Sequence, residues 1–212
     1  MIAVNHYRVH RSLGFVACAA VFAITLAACG SNAETPSATE TSVAEPTAAP
    51  SVTNTATDAS SCPTAAPANA GRPEWTQAGS TGSVAVTGST DTTAPVVKVE
   101  APFSVNETQV HTLKSGDGPV VADTATVSVC YMGVNGRDGS VFDSAFERGE
   151  PAQFPLNGVV PGFQKAIAGQ KVGSTVAVAM TAADGYPDGQ PSAGIQKGDS
   201  LVFAIKILDA SS

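Results

Sequence analysis

Hydrophobic and polar residues alternate most regularly in the C-terminal half of the chain. Val127, Val129 and Tyr131 alternate with Ser128, Cys130 and Met132, a period of two that predicts a strand. Asn135-Gly136-Arg137-Asp138-Gly139 follows as a turn cluster. Val176, Val178 and Met180 mark another strand. Leu201, Phe203, Ile205 and Ile207, alternating with Val202, Ala204, Lys206 and Leu208, mark a last one. One short helix fits between them. Pro161 suits a first helical position, Phe163 and Ile167 stand one turn apart, and Gly169 or Gly173 can end it. Several antiparallel strands and one helix predict a single α+β domain, an antiparallel sheet wrapped around that helix.

Upstream the pattern dissolves. From residue 30 to about 70 the chain is Ser, Thr, Ala and Pro with scattered acids and a few valines. Such a segment buries too little apolar surface to offset its ordering entropy, so it reads as a disordered linker. Residues 70–103 are ambiguous. They hold the only tryptophan, Trp75, and two alternating pieces, 83–87 and 96–100, which fit either edge strands or isolated sticky points in a linker. The organisation expected is a leader at 1–28, a linker at 29–90 that gains partial order toward its end, and a folded domain at 91–212.

The leader has its own logic. His6, Arg8, His10 and Arg11 form a basic head, and an apolar run over 13–28 follows. That run is short for a membrane span and right for a signal peptide. It ends in Leu26-Ala27-Ala28-Cys29, small residues before a thiol, which resembles the lipobox of bacterial lipoproteins. The resemblance implies cleavage before Cys29 and lipidation of its thiol, hence an exported chain anchored at the outer face of the cell membrane. An ordinary cleaved signal peptide with a stray cysteine is the plainer alternative.

Charge and composition narrow the chemistry. Removing the leader takes two of the 11 basic residues and none of the 18 acidic ones, so the mature charge is 9 − 18 = −9. Such a chain repels phosphate backbones and has no basic patch for anionic lipid, so nucleic acid is excluded as a partner and attachment falls to the acyl chains. His111 is the one histidine beyond the leader, and HExxH, CxxC and GxSxG are all missing. A His-dependent triad, a zinc site and a phosphate loop therefore lack their parts, and no metal or cofactor is expected.

What remains is a set of aromatic residues beside turns. The segments Val129-Cys130-Tyr131-Met132-Gly133, Gly139-Ser140-Val141-Phe142-Asp143-Ser144 and Phe154-Pro155-Leu156-Asn157-Gly158-Val159-Val160-Pro161-Gly162-Phe163 resemble FKBP-type prolyl isomerases. Val172-Gly173-Ser174, Gly185-Tyr186 and Leu201-Val202-Phe203 extend the likeness, in order, from about 110 to 208. The resemblance implies a pocket walled by Tyr131, Phe142, Val159, Val160, Phe163, Ile195 and Phe203. It implies that the Val160 N–H meets a ligand carbonyl, that Asp143 and Tyr186 form a polar rim, and that Arg148 orients Asp143. Three positions depart from the family pattern: the floor residue, usually tryptophan, is Phe163; an aromatic two residues before Phe154 is Ala152; and the loop 187–198 carries Gln190, Gln196 and Lys197. Taken singly, the aromatics could fill a small core, and Asp143 could be a turn residue bonded to its own backbone.

The expected activity is peptidyl-prolyl cis–trans isomerisation on proline-containing polypeptides during the folding of exported proteins, by a monomer that macrolide inhibitors could enter. The alternative is a chaperone or binding module with the same fold and little turnover. Cys62 and Cys130 would both remain after export, where thiols tend to pair. Either they form a disulfide, or one stays buried and the other free in the linker.

Overall fold

The alternation at 127–131 belongs to a ten-residue strand that pairs along both edges. The structure, a computed structural model, describes residues 61–69 and 71–211. The leader, Cys29 and most of the expected linker lie outside the described residues. In chain order the elements are β1 Trp75–Ala78, β2 Thr81–Thr87, β3 Val96–Ser104, β4 Gln109–Lys114, β5 Thr126–Asn135, β6 Val141–Ser144, α1 Ala145–Arg148, β7 Ala152–Pro155, α2 Pro161–Ile167, β8 Thr175–Met180 and β9 Leu201–Ser211.

Six strands form an antiparallel sheet in the order β4-β8-β9-β5-β6, with β7 also on β5. One face carries Val129, Val176, Val178, Met180, Phe203, Ile205 and Ile207, all buried against Phe163, Ala166 and Ile167 of α2. Pro161 opens that helix, as its fixed φ and missing N–H favour. Gly162 lets it lie close to β8, because a Cβ there would stand 2.8 Å from Met180 Sδ.

The opposite face of the sheet is covered as well. Ala177, Ala179, Val202 and Ala204 pack on Val84, Val86 and Phe103 from a second antiparallel sheet, β1-β2-β3. The alternating pieces at 83–87 and 96–100 are paired strands of this sheet, with Val84 opposite Val99 and Val86 opposite Val97. Burying a valine or phenylalanine side chain contributes about 1.5–3 kcal/mol. The chain therefore gains from a layer that begins upstream of residue 91, where the domain was expected to start. Every residue of β8 is buried, its valines toward α2 and its alanines toward the second sheet.

A third cluster closes one end. Cys62 is bonded to Cys130, with their Cα atoms 5.6 Å apart, and packs with Ala94, Ala145 and Phe146. The Cys62 N–H donates to the Gly149 carbonyl (3.0 Å), and the Ala94 N–H to that of Ala65 (2.8 Å). One helix was expected; α1 is a second, single-turn helix. Ser144 caps it by accepting from the Glu147 N–H, and Gly149, at φ 74°, ends it. Its position directly after β6 brings Arg148 back beside Asp143.

Candidate active site

Strand registry gathers the aromatic residues. Gly133 of β5 stands opposite Phe203 of β9 on one side and Asp143 of β6 on the other. Tyr131, two residues earlier, points to the same face, over α2. Tyr131, Phe142, Asp143, Phe154, Gly158, Val159, Val160, Phe163, Tyr186 and Phe203 line a cavity of about 390 Å³.

Phe163 is its floor. Its ring meets Phe203 at a centroid distance of 5.2 Å, Phe154 at 5.5 Å and Tyr131 at 5.7 Å, each near-perpendicular edge-to-face packing. Phe142 stands edge-on to Phe203 at 5.5 Å. Gly133 makes that contact possible: a Cβ there would lie 2.6 Å from Phe142 Cζ and 2.8 Å from Phe203 Cε1.

The polar rim is a three-member network. Tyr131 donates its hydroxyl to Asp143 Oδ2. Arg148 donates to Asp143 Oδ1 at 2.5 Å and reaches the Tyr131 oxygen at 3.4 Å, its guanidinium carbon 5.8 Å from the Tyr131 ring centre. Partial burial opposes the charge on Asp143. The hydrogen bonds from Tyr131 and Arg148, the charge of Arg148 and the Ser144 N–H outweigh it, so the carboxyl is held below its ordinary range. Burial, then the bond to the Asp143 carboxylate, pushes the Tyr131 phenol above its ordinary value against the opposing pull of Arg148. Near neutrality this rim therefore holds one carboxylate and one neutral phenol, and neither is poised to exchange a proton.

Val160 ends the turn before α2, its carbonyl accepting from the Phe163 and Gln164 N–H groups. Its own N–H has no acceptor among the described residues. Tyr186 reaches the cavity from the β8–β9 loop.

The family profile described as FKBP-type peptidyl-prolyl cis-trans isomerase matches residues 118–208. The probable FK506-binding protein of Corynebacterium glutamicum is 38% identical over 96 residues, which are 45% of this chain and 80% of that one. The chain belongs to the FKBP-type peptidyl-prolyl cis-trans isomerase family. The FKBP-type 22 kDa peptidyl-prolyl cis-trans isomerase of Escherichia coli is 38% identical over 101 residues, 48% of each chain, so this chain spans about half the length of that relative. The crystal structure of FkpA from Escherichia coli matches with 31% identity and a TM-score of 0.45, covering 49% of this chain and 48% of that one. The FKBP profile begins after β4, so the second sheet and the segment around Cys62 lie outside the region it matches.

Eight of the residues named from the FKBP resemblance line the cavity directly: Tyr131, Phe142, Asp143, Val159, Val160, Phe163, Tyr186 and Phe203. Arg148 stands behind the rim on Asp143. Ile195 is the exception. It is 1% exposed within the core cluster and is absent from the cavity lining, because the loop that carries it turns inward where its N–H bonds the Gln190 carbonyl. Phe154 takes a wall position that the sequence reading did not assign. It already stood in the aromatic set beside a turn, and that placement was its signal. Gly133 stood in the first family segment, but its role, leaving space for two rings from other strands, is visible only in the structure.

Proposed function

We propose that this chain catalyses cis–trans isomerisation of X–Pro peptide bonds in exported polypeptides, held at the outer face of the cell membrane by lipid on Cys29. The observation that carries the isomerase reading is a cavity of aromatic walls whose only carboxylate is already committed to Tyr131 and Arg148. Rotation about a planar amide must break resonance at about 18–20 kcal/mol, and uncatalysed X–Pro exchange takes tens to hundreds of seconds. The twisted amide has less charge separation than either planar isomer, so it loses less when Phe142, Phe163 and Phe203 exclude water. No nucleophile and no base is required. A flanking carbonyl held on the Val160 N–H, with the Tyr186 hydroxyl as a second contact, fixes the chain while the amide turns. Lowering the barrier by about 5–7 kcal/mol accelerates exchange by roughly 10⁴–10⁵.

The departures at Phe163 and Ala152 favour one other reading, a chaperone or binding module with little turnover. Isomerisation of a short X–Pro peptide by the fragment 61–212 separates the two: acceleration supports the enzyme, and binding without acceleration supports the module. Proline-containing chains are the proposed partners, macrolides the proposed inhibitors, and the domain the proposed monomeric unit. Mass spectrometry of the mature N-terminus tests the anchor. A diacylated or triacylated Cys29 is expected, and an unmodified N-terminus beyond a different cleavage site contradicts it.

A further inference from the structure

A second polar cluster ties together three elements that are far apart in sequence. Asp184 sits in the β8–β9 loop, two residues before Tyr186. Its carboxylate accepts from Lys165 Nζ at 2.8 and 2.9 Å and from the Thr108 hydroxyl at 2.5 Å. The Thr108 oxygen in turn accepts from the Thr181 N–H at 3.2 Å, and the Thr181 hydroxyl from the Asp184 N–H at 3.3 Å. Lys165 belongs to α2, two residues from the floor residue Phe163 and five from Val160. Thr108 immediately precedes β4. The Asp184 side chain is 21% exposed, whereas that of Lys165 is 57% exposed.

We propose that Asp184 is a positioning residue: through Lys165 and Thr108 it sets the distance between Tyr186 on the loop and the Val160 N–H at the start of α2. The inference rests on the reading of those two groups as the anchors of a bound X–Pro segment. The physical reason is geometric. Tyr186 stands on a long connection between β8 and β9, whereas Val160 is fixed by the turn into α2. Packing of Tyr186 on the core already links loop to helix, and the ion pair adds a directional tie beside it. Asp184 is close enough in sequence to Tyr186, and Lys165 close enough to Val160, for their ion pair to hold that spacing. The hydrogen bonds from Lys165 and Thr108 and the Lys165 charge outweigh desolvation and hold the Asp184 carboxyl below its ordinary range.

The test is a double-mutant cycle in the fragment 61–212 between Asp184→Ala and Tyr186→Phe, read on exchange of an Ala-Leu-Pro-Phe peptide, with NMR of the free protein alongside. Asp184→Ala should raise KM about two- to fivefold with little change in kcat, the range expected from losing one partly exposed ion pair. It should also shift the Tyr186 ring and Val160 amide resonances without lowering Tm enough to unfold the protein at the assay temperature. Tyr186→Phe should cost less in the Asp184→Ala background than alone, since the hydroxyl is no longer held in register. The reciprocal exchange Lys165→Asp with Asp184→Lys should recover part of the KM. Additive effects, or resonances of Tyr186 and Val160 unchanged by Asp184→Ala, overturn the inference. A parent fragment with no turnover sinks the isomerase reading instead, and the resonance shifts then decide the positioning role alone.

Discussion

Phe163 and Phe203 meet edge to face, their ring centroids 5.2 Å apart and their planes at 82°. One ring comes from α2 and the other from β9, so the contact joins helix to sheet at the floor of the cavity. Gly133, opposite Phe203 on β5, leaves the room in which Phe142 closes over the same ring. A methyl group at Gly133 would stand 2.6 Å from Phe142 Cζ, and both crowded atoms belong to ring side chains that must then move. Gly133→Ala should cost about 1–3 kcal/mol of stability by overpacking. It should also lower kcat/KM by at least about tenfold through misplaced walls. Urea unfolding and a peptide assay on the same preparation check both, and an unchanged kcat/KM would mean the Phe142–Phe203 contact is dispensable.

The bond between Cys62 and Cys130 closes a loop across a sequence separation of 68 residues. A loop of that size stabilises the fold by about 4 kcal/mol in the chain-entropy account. The fragment 61–212 contains no other cysteine. Unfolded without reductant it should show no reactive thiol, and after reduction its urea midpoint should fall. Two reactive thiols before reduction would contradict the bond.

The second sheet should be part of the folding unit, not an ornament on it. Starting the chain at residue 91 removes β1, β2, Val84 and Val86 and uncovers Ala177, Ala179, Val202 and Ala204. That fragment, which also lacks Cys62, should aggregate or melt far below 61–212 with its disulfide reduced. Phe103→Ala, which hollows the interface between the sheets, should cost about 3–5 kcal/mol while leaving turnover near normal in the folded fraction. Equal melting of the two fragments would show that the layer adds nothing.

Much of this was legible in the chain, and the gaps have physical causes. The strands β5, β8 and β9 announce themselves because one face carries large apolar residues at a period of two. The burial of the other face of β8 was hidden, since Ala177 and Ala179 are as compatible with a solvated surface as with a tight interface. β2 and β3 stayed ambiguous for a related reason: Thr, Ser and Gly dilute the alternation of β2, and Val84 and Val86 are buried only once the second sheet packs on the first. The aromatic walls were legible from ordered motifs, whereas Ile195, placed in the wall by the family resemblance alone, has no local pattern to show that it is buried in the core instead. Asp184 and Lys165 are 19 residues apart on a loop and a helix, a pairing that no local pattern reveals.

The pH dependence follows from the directions of the two rim groups. The Asp143 carboxyl is lowered in the folded state, so its contribution to stability is present above the unfolded carboxylate value and is lost as pH falls through the lower folded one. The Tyr131 phenol is raised, so its contribution is present below the unfolded phenol value and is lost only as pH rises through the higher folded one. Neither window touches neutrality. Turnover should be nearly flat from about pH 6 to 8, the interval in which an unperturbed histidine would titrate. Asp143→Asn should flatten the acid limb of the stability profile. A bell-shaped rate profile centred near pH 7 would point to proton transfer and against this reading.

The most direct test of the water-excluding cavity compares Phe142→Ala with Asp143→Asn in the fragment 61–212, each verified as folded before assay. The first removes a wall and admits water; the second removes charge with little change in volume. Because no proton moves when the amide twists, Phe142→Ala should lose much more of kcat/KM than Asp143→Asn, and Tyr186→Phe should retain substantial turnover. A folded Asp143→Asn far slower than a folded Phe142→Ala would contradict the account and give the carboxylate a direct chemical role.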